Sequence, residues 1–589
     1  MKNSLNQIVL IISLFVFSQQ TAASEWLKSY GSNTDERYSF SAKDGNGNLY
    51  VVTPISATTD FNPHPYATAT VSITSGIIDA IAISKFDANG NFIWVKSLTS
   101  KSFLKVTALS IDANGNIYFG GYFSTDYDKT YHADFNPDPT KEALLFPTPY
   151  IYKDDSGKTQ TAYFQDAFVC KWDKDGNFVW VKQFKGTINE EITQIVIDNT
   201  TNSLYVSAVF WGGYNQAKVD ANPDENAEAM IYELSDYNAA FITKLDLDGN
   251  YSWSAQLDGS KGCILGRNGM GIDDAHNLYV AGLALGTIDA NPGVELKNIS
   301  GLFILKWDAN KNLIWETSFA NANTNKLHAA MSVDKKTGDV YITGDYGGNI
   351  QFATGAEILY SNGAWDVYLA KFSTNGEYIW SKSWGGGSAD ESLTMDIDNQ
   401  NNVFVGGKFQ NRVDFDPGVG QNFISSTGQI DGYISFFKSN GDYLTTKTVG
   451  SMGSDWTYSI TALGDGGLFA TGAFSFTASS GALSVDAVGG YDIWMLKLDA
   501  IRTGINETRF DANISLYPNP TQGQTVIKLN KEFSEMTVTV RNVLGAVVSI
   551  VNYQNISKIN LNLQGESGLY FVELKNNEGQ LNTIKVLKK

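Results

Sequence analysis

Histidine and cysteine are almost missing from this chain, at four and two residues in 589. Two cysteines make no disulfide framework, and the spacing of Cys170 and Cys263 is no metal motif; two buried free thiols are the favoured reading, and a bridge between neighbouring repeats is the alternative. His64, His132, His276 and His328 are scattered, with no metal spacing between any two. No Gly-x-Ser-x-Gly, Walker loop or His-Glu-x-x-His is present, which removes the chemistries those motifs carry. Charge is sparse too, at 18 % of residues, and basic charge is the rarer sign. Residues 512–589 hold eight basic and five acidic side chains, and Lys2 is the one charge in 1–23, so 24–511 carry −23 of a chain total of −19. Such a field repels phosphate backbones and anionic lipid, so neither nucleic acid nor a membrane surface is an expected partner. After the first twenty residues no apolar run is long enough to span a bilayer.

What is abundant is aromatic residues, at 13 %, and glycine, at 55 residues. Short aromatic strands joined by glycine turns give that balance, whereas a helical protein carries more Ala, Glu, Lys and Leu. The first residues differ from the rest: Lys2, an apolar run from Ile8 to Phe17, then Thr21-Ala22-Ala23. These are the parts of a secretory signal peptide over 1–23, which implies the Sec translocon and signal peptidase as partners. An N-terminal membrane anchor is the competing reading, but the run is short for a span. No cysteine follows the small residues, so a lipoprotein anchor is not expected.

Self-comparison finds two recurring patterns. In one, an apolar strand ending in Lys is followed by Asp-x-x-Gly-Asn and a strand carrying Trp. It runs from Lys85 to Trp94, Lys171 to Trp180, Lys244 to Trp253, Lys306 to Trp315 and Lys371 to Trp380, with a degraded copy from Phe436 to Leu444. The other ends in an aromatic strand: Leu49-Tyr50-Val51, Ile117-Tyr118-Phe119, Leu204-Tyr205-Val206, Leu278-Tyr279-Val280, Val340-Tyr341-Ile342, Val403-Phe404-Val405 and Leu468-Phe469-Ala470. Asp caps its own turn and Gly takes the positive-φ position, so each pattern is a hairpin. Two hairpins make a four-stranded repeat, and the tryptophan spacing of 62 to 86 residues suits a propeller blade with one variable loop. The recurrent Trp is expected to pack between adjacent blades.

The ends of the repeat region complete each other. A lone Trp strand, Glu25 to Lys28, opens it, and a lone Lys strand, Ile493 to Asp499, ends it. Joined, they supply the missing hairpin and close a ring without a free sheet edge. The expectation is an all-β, seven-bladed β-propeller over 24–500. A linear β-solenoid is the alternative, and it gives no reason to split a repeat between termini. The repeats resemble the bacterial β-propeller repeat family with Asp-x-x-Gly-Asn-x-Tyr-Val-x-Gly and Asp-x-Phe-x-x-Lys, here Asp112 to Gly121 and Asp166 to Lys171. That resemblance implies a fold, and the fold hosts many functions.

A polar linker over 501–511 leads to period-two alternation from 512 to 589, with strands expected over Thr525–Leu529, Met536–Arg541, Ala546–Val551, Ile559–Leu563, Gly568–Leu574 and Asn582–Leu587. That reads as a small Ig-like β-sandwich. The order of Tyr517-Pro518-Asn519-Pro520, Asn542-Val543-Leu544-Gly545, Gly568-Leu569-Tyr570 and the end Lys585-Val586-Leu587-Lys588-Lys589 resembles the type A C-terminal sorting domain of type IX secretion substrates. The resemblance implies a Bacteroidota-type translocon as partner, removal of the module on export, and a secreted or outer-membrane cell-surface location. An accessory adhesive Ig-like domain is the competing reading.

One polar loop motif recurs without an evident strand role: Asp60-Phe61-Asn62-Pro63, Asp134-Phe135-Asn136-Pro137, Asp220-Ala221-Asn222-Pro223, Asp289-Ala290-Asn291-Pro292 and Asp414-Phe415-Asp416-Pro417. The loops lie on the face opposite the tight turns and include the longest connections, where binding sites concentrate. Two readings stand side by side: a calcium-stabilised loop whose ligands are Asp60, Asn62, Asp134, Asn136, Asp220, Asn222, Asp289, Asn291, Asp414 and Asp416, or an Asx turn stiffened by proline. No other cofactor is expected. Sialidase and quinoprotein spacings both differ from Asp87, Gly90 and Trp94, so no catalytic residue is assigned. The function expected is a non-catalytic binding or adhesion scaffold that uses this long-loop face for an extracellular protein or glycan. The alternative is a carbohydrate-active enzyme with carboxylates converging on a central channel.

Overall fold

The computed structural model describes residues 25–500 and 514–589, apart from 65, 74–76, 78, 125–131, 154–155, 212–217, 225–226, 233–237, 293–294, 320–329, 465, 543–545 and 578–580. The expected signal peptide over 1–23 and the linker over 501–511 lie outside the described residues. Among the described residues all regular structure is β. Two compact units divide the chain after Ala500.

In the first unit the strands form antiparallel four-strand runs. One consists of Phe103–Ile111, Ile117–Ser124, Asp166–Trp172 and Phe178–Phe184, paired in chain order. Others begin at Phe40, Asn189, Cys263, Ala330 and Glu391 and repeat that order. The last run departs from it. Trp456–Ala462, Leu468–Phe474 and Asp492–Leu498 follow each other, but the outer strand is Trp26–Tyr30 from the other end of the unit, with Trp26 opposite Lys497.

Burial explains the sequence pattern strand by strand. The aromatic strands are covered on both faces: Tyr50, Tyr118, Tyr205, Tyr279 and Tyr341 are fully buried. A strand enclosed on both sides reads as a continuous apolar run, and a strand with one open face alternates. The outer Trp strands are only partly covered: from Phe178 to Phe184 every residue but Phe184 is half-buried or exposed.

At most of the tight turns the leading residue is an Asp that holds the hairpin. Asp112 Oδ1 accepts the N–H groups of Asn114 and Asn116 at 2.9 and 2.8 Å, and Oδ2 accepts the Asn116 amide at 2.7 Å. Asp44, Asp87, Asp173, Asp246, Asp308 and Asp398 repeat this geometry. The recurrent Trp packs on the turn of the following run. Trp315 donates its indole N–H to the Thr374 carbonyl at 2.8 Å and lies against Gly376. Trp26, Trp94, Trp180 and Trp380 lie against Gly90, Gly176, Gly249 and Gly441 in the same way. Cys170 and Cys263 are buried and free, and burial pushes both thiols up in pKa.

The second unit holds one connected antiparallel set of strands. Two expected pairs of short strands are single long ones: Gln524–Asn542 spans the expected Thr525–Leu529 and Met536–Arg541, and Val547–Asn562 joins all but the outermost residues of Ala546–Val551 and Ile559–Leu563. No turn separates the halves. The ladder slips in register between Lys528 and Phe533 instead, so each strand stays continuous. Ile527, Met536, Val538, Val572 and Val586 are among the side chains of its core.

Candidate functional site

The five loop motifs are built alike. In each, the Asp Oδ1 accepts two backbone N–H groups of its own loop: Asn62 and Ala69 on Asp60, Asn136 and Ala143 on Asp134, Asn222 and Ala229 on Asp220. Asp289 accepts from Asn291 and Lys297, and Asp414 from Asp416 and Asn422, all between 2.8 and 3.2 Å. The second motif position is an internal plug, with Phe61, Phe135, Ala221, Ala290 and Phe415 all fully buried. Its carbonyl is used as well, accepting from the Trp172 indole, the Trp307 indole and the Thr243 hydroxyl at three of the loops. The short strands around the motif reach the outer strand of the preceding run, as at Ala133–Ser100, Val219–Gly186, Ile288–Gly259 and Asp414–Gly385. The motif thus fastens the five runs that carry it to their neighbours. The sequence signal for this was the apolar second residue.

A cleft opens where the first strands of several runs begin. Two adjoining cavities of about 360 and 440 Å³ share Arg37, Tyr38 and Phe40. Arg267, Glu391, Lys408, Trp456 and Tyr458 line one, and Asp79, Lys105 and Tyr122 line the other. Trp456 and Tyr458 project from the same side of one strand, their rings 6.1 Å apart and 13° from parallel. Tyr38 stands 5.5 Å from Tyr458, and Tyr491 stands 5.3 Å from Trp456. Arg37 lies over Tyr491 at 4.6 Å, and Lys105 over Tyr38 at 5.1 Å.

The cations of the cleft face carboxylates. Arg37 meets Asp35 at 2.8 Å, and Arg267–Glu191 and Lys408–Glu391 are both 3.3 Å. Burial, reinforced by Arg267, lowers the pKa of Lys105 against the pull of Glu191 and Asp79. Burial raises Tyr122 and Tyr458. None of these residues belongs to a repeated motif, so the repeat analysis missed them. Their signal is variation: Lys105, Glu191, Glu391 and Trp456 occupy equivalent places in the pairing register of four runs. A third cavity of about 490 Å³ lies between the other ends of these strands, near Lys43, His276, Lys335 and Asp396, with His276 Nδ1 2.8 Å from Asp198.

In the C-terminal unit the structure brings most of the sorting-motif residues together. Asn519 donates its amide to the Lys585 carbonyl at 2.8 Å and accepts the Leu587 N–H at 2.9 Å. Tyr517–Pro518 and Asn519–Pro520 are cis peptides. Lys588 pairs with Gly568 and donates to the Gly565 carbonyl, while Tyr570 is buried with its hydroxyl on the Glu566 carbonyl at 2.7 Å. Lys589 donates its N–H to Thr521. Gly545 lies outside the described residues.

Residues 515–589 match the family of secretion system C-terminal sorting domains, and this module is the sorting domain of a type IX secretion substrate. A module of that kind marks its chain for secretion or display at the cell surface. The chain is also similar to an uncharacterized WD repeat-containing protein of Acanthamoeba polyphaga mimivirus, at 21 % identity over 239 residues. That match covers 39 % of this chain and 16 % of the relative's length. Among solved structures, latent PorU of Porphyromonas gingivalis is 10 % identical with a TM-score of 0.11, covering 60 % of this chain and 32 % of that one. An endo-1,5-alpha-L-arabinanase of Thermotoga petrophila is 10 % identical with a TM-score of 0.15, covering 80 % and 100 %. Scores this low carry no argument about fold or activity.

Proposed function

We propose that residues 24–500 are a seven-bladed β-propeller, exported by a signal peptide over 1–23 and an Ig-like sorting module over 512–589, and that it works outside the cell as a non-catalytic binding scaffold. The ring reading is supported by contacts between the innermost strands. Phe40–Lys43, Phe103–Ile111, Asn189–Asp198, Cys263–Ile272, Ala330–Val333, Glu391–Ile397 and Trp456–Ala462 neighbour one another in succession, and the last neighbours the first. Ser39 and Ser41 reach Thr471 and Ser459 across that junction, at 3.1 and 2.9 Å.

The observation that carries the binding role is the cleft at the axis of this ring. Three of its carboxylates, Asp35, Glu191 and Glu391, are held against cations, while burial raises Asp79 against the Leu104 N–H and the charge of Lys105. A carboxylate so paired orients a ligand; a glycosidase acid instead needs a carboxyl kept protonated. We read the Asp-x-Asn/Asp-Pro loops as turns rather than calcium sites, because their Asp Oδ1 atoms already accept two N–H groups each.

Deleting residues 512–589 tests the export half of this reading. The truncated chain is expected to fold and accumulate in the periplasm, seen by fractionation and surface labelling. Normal surface appearance of the truncation overturns it. Release of reducing sugar from polysaccharides by the purified chain would overturn the non-catalytic half.

A further inference from the structure

We propose that the axial cleft is a carbohydrate site, with an uncharged sugar ring seated on the Trp456–Tyr458 platform. The proposal rests on reading the chain as a binding scaffold. Three observations carry it. The first is the nearly parallel, stacked pair of rings at 6.1 Å, with Tyr38 beside it, tilted by 43° and 41 % exposed. Elsewhere in the unit the recurrent rings are packed against glycine turns or buried in strands; these open onto a cavity instead. An aromatic face open to a cavity in this way meets the C–H face of a pyranose and gains from its desolvation.

The second is register. The place that holds Trp456 holds Lys105, Glu191 and Glu391 in other runs. A position needed for packing alone would keep one residue class through the repeats, as the buried tyrosines do. This one changes class from run to run, surrounding the platform with donors and acceptors of different kinds.

The third is charge. Arg37, Lys105, Arg267 and Lys408 meet Asp35, Asp79, Glu191 and Glu391 in and around the cleft, so positive and negative charge balance there. A sulfated or phosphorylated polymer would face those carboxylates on a strongly acidic body, which disfavours it. Paired charges still present fixed hydrogen-bond donors and acceptors, the groups that read sugar hydroxyls.

The test is a glycan array of neutral, carboxylated and sulfated oligosaccharides probed with the purified full chain, followed by titration of the best neutral ligand. Neutral glycans are expected to bind and to quench tryptophan fluorescence. Trp456→Ala is expected to weaken that binding at least tenfold, Trp456→Phe less so, and Tyr38→Ala, at an exposed site, without a change in melting temperature. Failure of every neutral glycan, preference for sulfated ones, or unchanged affinity in Trp456→Ala and Tyr38→Ala overturns the proposal. Hydrolysis of a bound oligosaccharide would overturn the scaffold reading and leave the sugar site standing. Binding of no glycan beside normal export and capture of a protein ligand would do the reverse.

Discussion

Gly376 is fixed twice over. Its φ of +79° is one that L side chains rarely adopt, and a methyl group there would lie 2.8 Å from the Trp315 ring. Gly376→Ala is therefore expected to destabilise the first unit by about 2 kcal/mol in chemical denaturation, from backbone strain and displacement of the indole together. Trp315→Phe keeps the contact but loses the 2.8 Å hydrogen bond to Thr374, for about 1 kcal/mol. An unchanged midpoint in both variants would mean the turn and ring do not hold the junction. Lys311 marks how far the rule bends. It takes the same turn position at φ +63°, and its ammonium reaches the Ser254 carbonyl at 2.9 Å beside Trp253. At this scale the sequence was highly legible, since Asp, Gly, Asn and Trp each carry one local task. The cleft residues were not, because a side chain that serves a ligand has no reason to repeat.

Between neighbouring runs, one backbone hydrogen bond recurs. The N–H groups of Glu36, Glu190, Cys263, Asp390 and Asp455 donate to the carbonyls of Tyr491, Gln165, Asn238, Trp365 and Ile430 at 2.7 to 3.0 Å. At four of these seams the adjoining residues form a buried acid pair: Glu36 with Asp492, Glu190 with Asp166, Asp390 with Asp366 and Asp455 with Asp431. At the seam of Cys263 the partner is Ala239, so the junction forms without acids. Burial pushes Asp166 and Asp366 up to about 6 and Asp455 and Asp492 up to about 7, and lifts Glu190 well above its usual range. The turn aspartates go the other way. Burial would raise Asp44, Asp87, Asp173 and Asp246, but the asparagine hydrogen bonds outweigh it and hold them low.

The two sets bracket a stability optimum. A raised folded pKa gives stability that is present at low pH and lost as pH climbs through the seam values. A depressed one gives stability lost as pH falls below the usual carboxylate range. The melting temperature is expected to peak between about pH 4 and pH 6 and to decline toward pH 8. Glu190→Gln, at a fully buried carboxyl beside Asp166, should match the parent near pH 5 and exceed it by about 1–3 kcal/mol at pH 8. Stability still rising from pH 6 to pH 8 would refute this account. Sequence reading could not reach these pairs, whose members lie more than twenty residues apart in different hairpins and meet only through the stacking of runs.

At the scale of the whole first unit, the decisive contact is between its ends, and it was legible because an incomplete repeat at each terminus is a pattern in itself. Trp26 pairs with Lys497 and Leu27 with Leu496, so the end of one strand stands beside the start of the other. In the ordinary hairpin, Lys85 pairs with Trp94 across Asp87-Ala88-Asn89-Gly90-Asn91. After Leu498 the chain reads Asp499-Ala500, the first two residues of that same turn. Joining Ala500 to Ser24 through Asn-Gly-Asn would therefore rebuild the turn with Lys497 and Trp26 at their present spacing. New termini belong in the loop between Arg412–Asp414 and Phe423–Ser425, where Val419 is fully exposed and a break disturbs little packing. A permutant of residues 24–500 opened between Val419 and Gly420 should fold and melt in one cooperative transition within a few degrees of its parent. In a closed ring every run keeps both neighbours after the cut. In a linear stack the new bond would have to cross the length of the molecule, and the permutant would be unfolded or aggregated.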